Sequence, residues 1–174
     1  MAAVDVRNRL QPALLDRLTD DHPGERAESD DRRVMSKAQL RQAVLRDLGA
    51  LFNAVQPLGP ASEAHALVGD SVLNFGLPPL SGQLASKLDV GALEAVIRQA
   101  IVRFEPRILP ESLQVRALEA TSALDTHNVI EFEIRGHLWS QPVPLEILLR
   151  TQLDLEAGQV EVHDAASVVP SKAR

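Results

Sequence analysis

Glu105 and Arg107 flank Pro106, directly after the apolar Phe104. A carboxylate and a planar, five-donor guanidinium at this spacing can do two kinds of chemistry. They can hold charges inside the fold, or they can offer a fork to a carboxylate or carbonyl of another molecule. Proline fixes its own φ and restrains the residue before it, so the pair stands at a rigid corner. Residues two apart in extended backbone project to the same side, which predicts that Glu105 and Arg107 emerge together. In one reading Arg107 pairs with an internal carboxylate and Glu105 caps backbone N–H groups. In the other, Arg107 meets a partner, and the rigid corner reduces the ordering cost of binding. Residue chemistry leaves both open.

The other residues able to do chemistry are scattered. The five histidines, at 22, 65, 127, 137 and 163, have no second ligand at an established metal spacing. The chain has no Cys, which excludes disulfides, Cys-ligated zinc and thiol nucleophiles. It has no Gly-rich phosphate loop and no Gly-x-Ser-x-Gly elbow. No catalytic residue, metal or cofactor is therefore expected. Glu131 and Glu133 are the obvious close carboxylates for glycoside hydrolysis, but alternation puts both on the solvated face of a strand. A cell-wall glycosidase remains a competing reading that requires a cleft with two carboxylates. A small-ligand module would require an enclosed apolar pocket.

Composition narrows the classes further. The 174 residues suit one domain with tails, and 45% hydrophobic content can build a real core. Aromatics are only 3%, so that core must be Leu, Val, Ile and Ala. A net charge of -6 argues against a general affinity for nucleic acid or anionic membrane. No apolar stretch approaches the roughly 20 residues that span a bilayer, and the start does not read as a secretory signal. These features predict a cytoplasmic protein without membrane insertion.

The elements that must position the corner follow from periodicity. Ser36 and Gln39 have capping-box spacing. Leu40, Val44, Leu45, Leu48, Leu51, Phe52 and Val55 then form one stripe, which predicts a helix over about 36–56, stopped by Pro57, Gly59 and Pro60. Asp89 is the N-cap of a second helix over about 90–104. Leu93, Val96, Ile97, Ala100, Ile101 and Phe104 share its face, and Pro106 ends it. Between them, residues 57–88 read as irregular, with Ser71-Val72-Leu73-Asn74-Phe75-Gly76-Leu77-Pro78-Pro79-Leu80-Ser81-Gly82 as an ordered loop packed across the core or, in the alternative, a recognition loop. After Pro106 the period becomes two, around Leu113–Ala117, Ile130–Ile134, Leu145–Leu155 and Val160–Val162. The short connections between these runs predict an antiparallel sheet of three to four strands over about 112–163. Helices before strands is the α+β pattern. The domain is expected over 35–164, with a flexible tail over 165–174. Residues 1–34 form an amphipathic segment with Leu14, Leu15 and Leu18 at helical spacing, then a charged linker. That segment folds back on the domain or docks in a partner's groove.

Phe104-Glu105-Pro106-Arg107 followed by a strand resembles the Glu-Pro-Arg hallmark of the phage baseplate wedge proteins once labelled lysozyme-like. The Ser71–Pro78 loop, Leu14-Leu15-Asp16-Arg17-Leu18 and Leu153-x-Leu155-x-x-Gly158-x-Val160 resemble the type VI secretion branch of that family, the TssE baseplate subunits. The resemblance runs in consistent order over about residues 13–163. It implies an α+β fold without enzymatic activity and a place in the wedge of a bacterial cytoplasmic assembly, beside TssF, TssG and TssK. It also implies likeness to the β handshake part of contractile sheath subunits, templating the first sheath ring by strand pairing. Unpaired strand edges suit that task. By position, Glu105, Pro106 and Arg107 become the implied partner-binding site, with Leu14, Leu15 and Leu18 as a second candidate.

Overall fold

Ser36 starts the first long helix by the reciprocal exchange its sequence announces. Its hydroxyl accepts from the Gln39 N–H at 3.2 Å, and the Gln39 side chain accepts from the Ser36 N–H at 2.8 Å. This computed structural model describes residues 12–19, 23–24, 35–57, 66–80, 88–118 and 128–165. The charged linker up to Arg33 lies outside the described residues, except for a turn at Pro23 and Gly24. So do Gly59 and Pro60, the tail beyond Ala165, and His22, His65 and His127.

Four helices precede four strands in the described chain. They are α1 (Leu14–Leu18), α2 (Lys37–Asn53), α3 (Ala66–Gly69) and α4 (Val90–Phe104), with 3-10 turns at Val72–Asn74 and Pro110–Ser112. The strands β1 (Gln114–Ala117), β2 (Val129–Leu138), β3 (Leu145–Asp154) and β4 (Gln159–Asp164) form one antiparallel meander in chain order. The fold is α+β, with the two main helices and the antiparallel sheet that periodicity predicts.

One core joins these layers. Leu40, Val44, Leu48, Leu51 and Phe52 of α2 meet Leu93, Ile97 and Ile101 of α4, together with Phe132, Ile134, Ile147, Leu149 and Leu153 of the sheet. Each fully buried Leu or Ile stabilises the fold by about 2 kcal/mol. Asp89 caps α4 by accepting from the Ala92 N–H at 3.0 Å. The helix ends at Phe104, because Glu105 precedes proline and leaves the helical region.

Helix α2 stops at Asn53, ahead of Pro57. The cause is tertiary. The Ala54 C=O accepts from the Leu77 N–H at 2.9 Å, and the Gln56 N–H donates to the Leu77 C=O at 2.8 Å. This short bridge draws the chain out of the helix. Val55, placed on the apolar stripe by spacing, is therefore 62% exposed. The bridge needs glycine at Gly76, where φ is +126° and a Cβ would stand 2.3 Å from the Ala54 carbonyl oxygen. Gly76→Ala should cost about 3 kcal/mol of stability, read as a lowered urea midpoint with unchanged slope. A near-neutral result would show that this bridge does not hold α2 to its observed end.

Candidate functional site

The Glu105–Arg107 corner is locked to the sheet before its side chains act. The Glu105 N–H closes the last turn of α4 on the Ile101 C=O at 2.8 Å. The chain then runs along β2 past the end of β1. The Trp139 N–H donates to the Arg107 C=O at 2.7 Å, the Leu109 N–H to the His137 C=O at 2.9 Å, and the His137 N–H to Ser112 Oγ at 2.9 Å.

The two charged side chains fold onto each other and do not emerge together into solvent. Glu105 is only 3% exposed. Its Oε1 accepts from Arg107 Nε at 2.7 Å and from the Arg107 N–H at 3.2 Å, and its Oε2 accepts from Nη2 at 2.5 Å. The same Nη2 donates to Asp47 Oδ2 of α2 at 2.6 Å. A quarter of the Arg107 side chain remains exposed. Burial alone would lower the Arg107 pKa. Hydrogen bonds and charge from Glu105 and Asp47 outweigh it and hold the guanidinium above its ordinary value. Pro106 itself is exposed.

Leu14, Leu15 and Leu18 stand on α1 and are 72%, 58% and 74% exposed. Asp16 of the same helix pairs with Arg46 of α2, whose Nε also donates to Asp47 Oδ1 at 2.9 Å. The two sequence-derived candidates are thus brought to one side of the molecule through Arg46 and Asp47. A further apolar knuckle, Leu67, Val72 and Leu73, is exposed on the α3 segment. It is fixed to the end of α4 by Arg103, which bonds the Gly69 C=O at 3.0 Å and Asp70 at 2.8 Å, and by edge-to-face packing of Phe75 on Phe104.

The sheet edges carry a second arrangement. Alternation along β4 turns the backbone of Val160 and Val162 away from β3. At Val160 both outward groups are taken by the side chain of Asn53, which donates to the C=O at 2.8 Å and accepts from the N–H at 3.0 Å. At the opposite edge, Glu94 of α4 accepts from the Ala117 N–H of β1 at 2.7 Å. Val162 keeps an outward N–H and C=O with no partner among the described residues.

Sequence reasoning did not single out Asp47, Arg46, Asp16, Asn53 or Glu94. A signal existed for Asp47, which falls at helical spacing within the apolar stripe, three residues after Val44 and four before Leu51. Nothing local marks Asn53, because its partner lies 107 residues away. Glu131 and Glu133 are engaged with Gln152 and Arg135 at 2.8 Å and 2.7 Å. Of two hollows among the described residues, one of about 200 Å³ between Phe52, Leu77 and Leu153 has no carboxylate. The other holds only Glu133. Among the described residues, no group of three or more potential metal ligands occurs, and no helix is long and apolar enough to cross a membrane.

A protein-family model described as baseplate wedge protein gp25 matches residues 38–143. The chain belongs to the gp25 baseplate wedge family. The match runs from α2 through the corner to the turn after β2, and leaves α1, β3 and β4 outside it. No curated protein and no solved structure matches the chain. Membership gives this gp25-family chain a structural baseplate role.

Two outcomes follow from the site. Arg107→Ala leaves Glu105 as a buried, unpaired carboxylate and should cost about 3–5 kcal/mol, whereas Arg107→Lys, which keeps one point charge, should cost less. Urea unfolding checks both. The Arg46 hydrogen bond is the main cause holding Asp16 below its ordinary 3.8. A lowered carboxylate contributes above the unfolded value and is lost as pH falls through the folded one. The midpoint of the change in amide shifts reporting the α1–α2 contact should therefore lie below pH 3.8.

Proposed function

We propose that this chain is a non-enzymatic component of a type VI secretion baseplate, of the TssE kind, working in the bacterial cytoplasm. In this reading it joins the wedge of TssF, TssG and TssK to the contractile sheath and helps start sheath assembly. The observation that carries it is the gp25-family match across the corner. The sheet edge supports it. An incoming extended strand finds at Val162 an N–H and a C=O that have no partner among the described residues, while Asn53 already fills the place of a neighbour at Val160. The corner Glu105, Pro106, Arg107 and the leucines Leu14, Leu15 and Leu18 are the proposed partner-binding residues. Because Arg107 is committed to two internal carboxylates, its contact with a partner is confined to its exposed quarter.

Co-purification with the wedge subunits and sheath assembly in their presence test this role. Wild type should recover TssF, TssG and TssK. Deletion of residues 1–34 should weaken wedge recovery. Val162→Pro removes one outward donor at an edge position, where proline is tolerated, and should spare the wedge while reducing sheath assembly. Wild-type chain that recovers no wedge subunit, or Val162→Pro that assembles sheath normally, contradicts the corresponding half of the proposal. Peptidoglycan hydrolysis by the purified chain would favour the glycosidase reading instead.

A further inference from the structure

The N-terminal helix is docked the wrong way round for a helix held by its apolar face. Leu14, Leu15 and Leu18 point outward, and α1 has no buried residue. A five-residue helix does not persist alone in water, and here the burial that usually holds one is missing. The side chain that turns toward the domain is Asp16, only 17% exposed. It meets Arg46, Arg46 meets Asp47, and the second oxygen of Asp47 takes Nη2 of Arg107, which in turn grips the buried Glu105. Five charges of alternating sign thus run unbroken from the N-terminal helix to the corner.

We propose that the Glu105–Arg107 corner is the anchor of a charge latch that fixes α1 on the domain, with Asp47 and Arg46 as positioning residues and Asp16 as the catch. Two more observations support it. Oδ2 of Asp16 and Nη1 of Arg107 are both buried and have no hydrogen-bond partner among the described residues, an acceptor and a donor left over within one cluster. The charge of Arg107 also contributes to holding the Asp16 carboxyl low. The corner therefore acts at a distance from its own surface: it orients Asp47, and through it decides where the leucines stand. The use of those leucines rests on the partner-binding reading above, whereas the latch itself does not.

The absence of Cys makes the test clean, because a single Leu15→Cys takes one nitroxide label. In the isolated full-length chain, the label should strongly broaden the α2 amide signals around Arg46. Arg46→Asp should abolish that broadening, and the exchange Asp16→Arg with Arg46→Asp should restore it. Asp47→Asn, which leaves the Glu105–Arg107 pair intact and so keeps the fold, should reduce the broadening severalfold. Broadening that survives Arg46→Asp, or that the exchange does not restore, overturns the charge latch. Broadening unchanged in Asp47→Asn overturns the part assigned to the corner. A latch that passes while loss of residues 1–34 leaves wedge recovery intact would count against the leucine surface alone.

Discussion

A carboxylate buried to the extent of Glu105 is costly unless a counter-charge with matched donors accompanies it. Arg107 meets that condition from two residues away. Proline between them supplies the turn that lets a guanidinium fork close back on its neighbour's carboxylate. Much of the fold's layout depends on this closure. It fixes the exit of α4, starts the run that seals β2 beside Trp139 and His137, and holds Asp47 of α2 against α4's end. Helix, helix and sheet are tied at one charged point beside an otherwise aliphatic core.

The same logic of occupied and open polar groups governs the sheet margins. Exposed strand edges invite pairing with other chains. In this fold two helices each lend a side chain to an edge: Asn53 mimics a neighbouring strand at Val160, and Glu94 takes one donor at Ala117. Edge pairing is thereby limited in register. Together with exposed leucines on α1 and an exposed knuckle at Leu67, Val72 and Leu73, it gives a structural subunit several small, chemically distinct contact points in place of one broad apolar face. That distribution suits the assembly role proposed for the chain, since a protein with several neighbours needs separate surfaces for them.

The main elements were legible because their causes are local. The Ser36–Gln39 exchange, the Asp89 cap, the two apolar stripes and the change of period after Pro106 all lie within a few residues of what they specify. The corner was legible as a rigid charged pair, but not in its direction. Extended geometry predicts Glu105 and Arg107 emerging together, and residue chemistry leaves open whether Arg107 pairs with an internal carboxylate or meets a partner. The fold instead buries one and wraps the other around it, because mutual pairing satisfies both more fully than solvent exposure beside an apolar core. The end of α2 was read from its prolines, whereas a bridge to Leu77 sets it earlier.

By itself, then, the sequence determined the α+β order, the caps, the faces that form the core, and the position of the charged corner. Only the tertiary structure decided what that corner holds. Asp47, Arg46 and Asp16 reach it from helices far earlier in the chain, and Asn53 reaches β4 across 107 residues. Periodicity reports which side of an element is apolar. It carries no term for which distant charge will complete a buried ion pair, since that is set by how the packed layers bring their polar flanks together.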